Sequence, residues 1–162
     1  MVLTLPERIE TDRLRLILVS PADAADMRAG RRQDRWHPSY PRRDDVDAAS
    51  LVRDGSDDPS WGPRHVVLGH QAVGSIGCFG PPTDGETEVG FGLVPELRGQ
   101  GIATEALRAL VAEAAGAGVR LRASVEPDNR ASLRVLARCG FTELRGSNED
   151  DRLVLALPAL RG

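Results

Sequence analysis

The stretch EVGFGLVPELRGQGIATEAL, Glu88 to Leu107, decides how the rest of the chain is read. Its opening residues alternate: Glu88, Gly90 and Gly92 share one face of a strand with Glu86, while Thr87, Val89, Phe91 and Leu93 take the other. Its end starts an amphipathic helix, because Ala103, Ala106, Leu107, Leu110 and Ala114 follow i, i+3, i+4 spacing from about Gly101 to Ala115. Arg98, Gly99, Gln100, Gly101, Ile102 and Ala103 fill the junction. A helix N-terminus exposes unpaired amides and carries about half a positive charge, and glycines let those amides approach an anion. Arg98 can add a charge-assisted donor and Thr104 a hydroxyl. A pyrophosphate-bearing ligand is the first expectation.

Working outward, Leu14, Leu16 and Leu18 alternate with arginines and Ile17, as in a half-buried strand. Ser20-Pro21 supplies a cap and a first-turn proline for a helix over Ala22 to Ala29. Gly30 to Arg43 is irregular, a second short helix runs from about Asp45 to Arg53, and Gly55 to Pro63 is a loop. His65 to Leu68 and Ala72 to Phe79 suit a hairpin around Gly69-His70-Gln71, and GPPTDG is a loop before the Glu86 strand. After the long helix, stopped by Gly116 and Gly118, VRLRASV is a strand and EPDN a capping turn. Arg130 to Arg138 is a helix ended by Gly140, and Phe141 to Leu144 pairs with Arg152 to Leu157. The order β-α-α-β-β-β-α-β-α-β-β packs most simply as a central mixed sheet with helices on its faces, an α/β fold in one domain over residues 1–162.

Composition narrows the function. With 41% hydrophobic residues but only 4% aromatic ones, the core must rest on Leu, Val and Ala. A net charge of -3 and pI near 5.6 give no basic field of the kind nucleic acid requires. All 21 basic residues are arginine, which points to GC-rich codons and a bacterial source. No signal-like start or long apolar run occurs, so a cytoplasmic protein with no membrane partner is expected. Cys78 and Cys139 have neither disulfide-framework nor zinc spacing, so reduced thiols and no metal are expected.

Three phosphate-binding designs compete for the loop. A Walker-type loop requires lysine, and the chain has none. A dinucleotide fold would use GQGIAT and Glu126 as the ribose acid, but Thr104 stands in place of the third glycine and too little chain follows Glu126 for a doubly wound sheet. The third design is a coenzyme A site. The stretch Glu88 to Leu107 resembles the acyl-CoA-binding motif of the GNAT superfamily of N-acetyltransferases, Arg/Gln-x-x-Gly-x-Gly/Ala, through Arg98, Gly101 and Ala103. VEPDNRASLRVLARCGF resembles that family's second signature, and ETDRLRLILVSPADAADM resembles the opening of its RimJ/RimL-like branch.

The resemblance implies a mostly antiparallel GNAT-like sheet with a V-shaped opening between the fourth and fifth strands. The backbone of Phe91, Gly92, Leu93 and Val94 would pair with the pantetheine arm, and the amides from Gly99 to Thr104 would hold the pyrophosphate of acetyl-CoA. Asn129 would bind the arm or simply cap its helix. The implied function is acetyl transfer from acetyl-CoA to a primary amine, by a monomer or homodimer. The alternatives are a non-catalytic acyl-CoA sensor and an NAD(P)-dependent enzyme.

Direct attack needs a base, a polarised carbonyl and a proton for the leaving thiolate. Gly90 and Gly92 leave their strand face bare, so a ligand could lie over them beside Glu88, where the family often places its base; the plainer reading is a solvated charged face. The amide of Val94 or a neighbour would polarise the carbonyl. The position seven residues after Asn129, often tyrosine in the family, is Leu136 here. Ser132 lies on the helix face of Val135, Leu136 and Cys139; it either donates to the sulfur, as the branch resemblance implies, or bonds back to the carbonyl of Asp128. Trp36 and Tyr40, with His37, fall in the segment that in the family roofs the acceptor pocket; they either contact substrate or serve as packing.

Overall fold

The computed structural model describes residues 4–52 and 58–159. Strands β1 (Arg8–Glu10) and β2 (Leu14–Leu18) lead into helices α1 (Pro21–Ala29) and α2 (Arg43–Ala49). Strands β3 (Pro63–Leu68), β4 (Gln71–Cys78) and β5 (Glu86–Leu93) follow, then α3 (Ile102–Gly116), β6 (Arg120–Val125), α4 (Arg130–Arg138), β7 (Glu143–Ser147) and β8 (Leu153–Ala156). The strands form one sheet in the order β1-β2-β3-β4-β5-β6-β8-β7, antiparallel except for the β5/β6 pair. This is the mixed α/β, mostly antiparallel sheet that the sequence implied. With a single parallel pair among the described strands, it is not the doubly wound parallel sheet of a dinucleotide fold.

Most boundaries agree with the sequence reading within a residue or two, and the main differences have local reasons. Strand β1 was not anticipated, since only Ile9 of its Arg-Ile-Glu is buried and three residues show no period. Helix α2 runs from Arg43 to Ala49, so it begins before the expected Asp45 and has ended by Ser50, short of the expected Arg53; Arg53 itself and the loop start at Gly55 lie outside the described residues. Pro59–Trp61, expected as loop, is a 3-10 turn capped by Asp58, and strand β3 starts at once after it, at Pro63. Phe141, expected in a strand, is instead the hydrophobic end of the α4 cap: Gly140 takes φ +88°, and the Phe141 amide returns to the Leu136 carbonyl at 3.0 Å. Strand β7 therefore starts two residues later. Cys78 and Cys139 are free thiols, and burial pushes Cys78 up to about 12.

The first half of the chain is pinned by a buried polar network. Ser20 caps α1 by accepting the Asp23 amide at 3.0 Å, which points the Asp23 carboxylate inward. There it meets His65 Nε2 at 2.9 Å and Arg35 Nη2 at 2.9 Å, while Tyr40 Oη lies 2.7 Å from His65 Nδ1. Tyr40 and Asp23 thus occupy both ring nitrogens of His65. The hydrogen bond from His65 leads the effects that hold the Asp23 carboxyl at about 2, below its ordinary 3.8. Its contribution, about 2 kcal/mol, is present above pH 4 and lost as pH falls through about 2. Asp23→Asn is therefore expected to lower stability by about that amount at pH 7 and to make urea denaturation between pH 5 and 2.5 less steeply acid-dependent. An unchanged acid dependence would show that this carboxylate does not carry the effect.

Candidate active site

Strand β5 has different neighbours along its length. Toward β4 it pairs over Val89 to Leu93, and toward β6 only over Glu86, Thr87 and Glu88, in register with Arg120, Leu121 and Arg122. In an antiparallel ladder the backbone groups of alternate residues point to opposite sides. The Val94 amide donates to Val73 at 2.8 Å and the Phe79 amide to Glu88 at 2.9 Å, so Glu88, Gly90, Gly92 and Val94 face β4. Phe91 and Leu93 consequently turn their amides away from β4, toward a side on which β6 has already diverged. The sheet splits there, and a cavity of about 500 Å³ opens between β5, β6, α2 and α4. Glu88, Phe91, Ser124, Asn129, Ser132 and Arg42 are on its wall.

The turn between β5 and α3 lies beyond that wall, at the other end of the open strand edge. Gly99 and Gly101 both take left-handed φ values, +79° and +77°. Helix α3 has no side-chain cap, and its first backbone bond in that region is from Glu105 to the Gly101 carbonyl. Among the described residues, none of the amides from Gly99 to Thr104 has an acceptor. The turn is held from behind: Glu105 accepts from Thr11 Oγ1 at 2.5 Å and Arg13 Nε at 2.7 Å, and Arg13 Nη1 donates to the Gln100 carbonyl at 3.1 Å. Arg98 folds back on the strand, with Nε donating to the Leu93 carbonyl at 3.2 Å.

Individual candidates fall as follows. Glu88 Oε1 accepts from Ser124 Oγ at 3.2 Å and lies 3.8 Å from Arg122 Nε, so the carboxylate is held by β6 across the closed end of the split. Asn129 caps α4, its side-chain oxygen accepting the Ser132 amide at 3.1 Å, and both residues line the cavity. The Ser132 hydroxyl makes no bond to the Asp128 carbonyl and has no partner among the described residues. Leu136 fills its place as a buried core residue that also reaches the cavity.

Three expectations need correction. The Val94 amide is consumed by Val73 and Gly92 also faces β4, so of Phe91 to Val94 only Phe91 and Leu93 turn their amides to the open side. Gly90 and Gly92 do not clear empty space. A Cβ on Gly90 would lie 3.0 Å from the Phe79 ring, and one on Gly92 would lie 2.7 Å from Arg42 Cζ. Trp36 and Tyr40, offered as substrate contacts, are 3% and 0% exposed and pack edge to face against each other, away from the cavity wall.

Sequence reasoning missed Arg42, Asp45, Ser75 and Ser124. Arg42 and Asp45 stand at the N-cap and third positions of α2, a capping-box spacing that was legible once the helix start was placed. Ser75 and Ser124 carried no signal, because they acquire meaning only through cross-strand neighbours.

Comparison with known proteins agrees with this geometry. Residues 13–142 match the model of the acetyltransferase (GNAT) domain. No curated protein matches the sequence. Among solved structures, an acetyltransferase from Agrobacterium tumefaciens is 26% identical, with a TM-score of 0.64 and 96% of each chain covered. RimJ from Mycobacterium smegmatis, in complex with CoA-disulfide, is 22% identical, with a TM-score of 0.67 over 94% of this chain and 87% of that one. The microcin C7 self-immunity acetyltransferase MccE, in complex with acetyl-CoA and AMP, is 17% identical, with a TM-score of 0.61 over 90% and 92%. No helix among the described residues is long and apolar enough to cross a membrane. The family match spans most of the chain and coincides with the split strand pair and the glycine turn: this protein belongs to the GNAT acetyltransferase family.

Proposed function

We propose that the protein is an acetyl-CoA-dependent N-acetyltransferase of the RimJ/RimL-like branch, one domain acting on a primary amine, either a protein N-terminus or a small molecule. One observation carries the reading. A run of amides without acceptors, Gly99 to Thr104, ends a strand whose edge is open at Phe91 and Leu93, and the opposite end of that edge meets a carboxylate and a free hydroxyl. This spacing suits a long ligand with a pyrophosphate at one end and a reactive thioester at the other. RimJ and MccE were solved with CoA-disulfide and acetyl-CoA, which supports the same ligand here.

The chain's own groups then have distinct tasks. The amides from Gly99 to Thr104 bind the pyrophosphate, with the α3 dipole behind them. The Phe91 and Leu93 amides hold the arm and polarise the thioester carbonyl. As the amine nitrogen bonds to the acetyl carbon and the C–S bond breaks, Glu88 receives the amine proton, directly or through water. Ser132 Oγ donates to the departing sulfur. How much Glu88 matters depends on the acceptor. An amine with pKa near 8 is about one-tenth neutral at pH 7, but one near 10.4 is neutral to about one part in a few thousand.

Three outcomes test the reading. Acetyl-CoA should bind in calorimetry, and Gly101→Asp should weaken it at least tenfold, since φ +77° disfavours a side chain and the new charge meets the phosphate. No heat at millimolar ligand would end the proposal. Ser132→Ala is expected to lower kcat about tenfold with little change in KM for acetyl-CoA; an equal fall in both would assign Ser132 to structure. Glu88→Gln should slow acetylation of a lysine-type amine far more than of an α-amine at pH 7, with the deficit shrinking toward pH 10. A non-catalytic acyl-CoA sensor would bind the ligand and acetylate nothing.

A further inference from the structure

Sequence reasoning overlooked a carboxylate that the fold holds through both of its oxygens. Asp45 is buried, with 1% exposure, and accepts four hydrogen bonds. The Arg42 amide reaches its Oδ2 at 2.8 Å and Arg42 Nε reaches the same atom at 3.0 Å, while Arg42 Nη2 meets Oδ1 at 2.8 Å. Ser75 Oγ donates to Oδ1 at 2.5 Å. Ser75 is the direct cross-strand partner of Gly92, and the guanidinium lies over Gly92 in the space a side chain there would need. The arginine is thus fixed from three sides: a carboxylate, a serine behind that carboxylate and a glycine below.

Two of its three nitrogens are engaged by Asp45, and Nη1 has no acceptor among the described residues. That nitrogen belongs to a side chain on the cavity wall, 20% exposed, on the same strand face as Glu88. Three residues separate Glu88 from Gly92 along β5, a span of about 13 Å, with the Phe79 ring over Gly90 between them. With the side chain 20% exposed, Nη1 is open to water in the cavity. A ligand that displaces this water must supply an oxygen or leave a charged donor unpaired. Arg42 is already matched by Asp45, so a neutral oxygen suffices. Nearby Asp44 and Asp47 have no ion-pair partner among the described residues and favour a cationic amine.

We infer that Arg42 is a specificity-determining residue that contacts the acceptor, its Nη1 donating to a carbonyl or hydroxyl oxygen close to the reactive amine. Asp45, Ser75 and Gly92 act as its positioning residues. Amines lacking such an oxygen are the disfavoured acceptors. The inference rests on the acetyl-transfer reading.

The test compares two probes, glycinamide and propylamine, by kcat/KM for acetylation in the wild type, in Arg42→Met and in Gly92→Ala. Gly92→Ala leaves both Arg42 and Asp45 in the chain but forces the guanidinium from its place, because the new Cβ would lie 2.7 Å from Arg42 Cζ, so it remains informative where Arg42→Met fails to fold. Taking the ratio of variant to wild type for each probe cancels their different amine pKa values. The expected result is a loss at least tenfold larger for glycinamide than for propylamine in both variants, appearing mainly in KM for the amine. Equal losses for the two probes would overturn the role of Arg42 and leave acetyl transfer standing. Acetylation of neither probe, nor of any peptide α-amine, by the wild type would overturn both.

Discussion

The site depends on one change of partner. Strand β5 pairs with β6 for three residues and then parts from it, while its ladder with β4 continues to the end of the strand. An unpaired strand edge inside a protein is costly unless something else satisfies its backbone. Here the cost falls on Phe91 and Leu93, and their unused amides are what give the cavity a directional, hydrogen-bonding wall. The closed end of the split is held by charge. Glu86 accepts from Arg145 through both carboxylate oxygens at 2.7 Å and from Arg122 at 2.9 Å, and these bonds hold its carboxyl at about 2. Arg120, the register partner of Glu86 on β6, ties the same end to Glu143 and to the Leu157 carbonyl.

The glycines of β5 acquire a different meaning in this setting. Read along the sequence, Gly90 and Gly92 mark a bare face over which a ligand could lie. In the fold they admit the Phe79 ring and the Arg42 guanidinium, so that face of the strand presents an aromatic surface and a cation instead of backbone. The glycines of the following turn are needed for their conformation. Gly99 and Gly101 adopt φ values that other residues resist, and Arg13 fixes the turn by bonding both Glu105 and the Gln100 carbonyl. Two pairs of glycines in one stretch thus answer two separate constraints, space in the strand and backbone dihedral in the turn.

How much of this the sequence could reveal follows from the range of the interactions involved. Helix α4 was legible to the residue because its cap, period and terminal glycine are all local: Asn129 accepts the Ser132 amide, and Gly140 closes the end. Strand β1 was not, because three residues with one buried side chain carry no period. The junction from Arg98 to Thr104 was legible because amides at a helix start are unpaired by geometry, whatever surrounds them. Arg42 was not, since its significance comes from Ser75 and Gly92, which are 33 and 50 residues away and become neighbours only through the β4/β5 register. Tyr40 shows the opposite error. An aromatic in an irregular segment suggested a substrate contact, but its hydroxyl is committed to His65 and its ring to the core.

These two errors have a common physical origin. The segment between α1 and α2 contains no regular element, so nothing in its pattern says which side chains point inward. The fold decides the matter by satisfying polar groups. Tyr40 is drawn inside because His65, itself bonded to Asp23, leaves one ring nitrogen open, and the Arg35 and His37 backbones bond Ala72 to hold the segment against β4. Arg42, two residues later, begins a helix whose third position is an aspartate, and the same principle turns its side chain onto that carboxylate and out over β5. The inward tyrosine network anchors the segment, and the outward arginine is presented to the cavity from that anchor. A rigid core network thereby fixes the position of a polar group on the cavity wall, which is the condition for a side chain to discriminate among ligands by a single hydrogen bond.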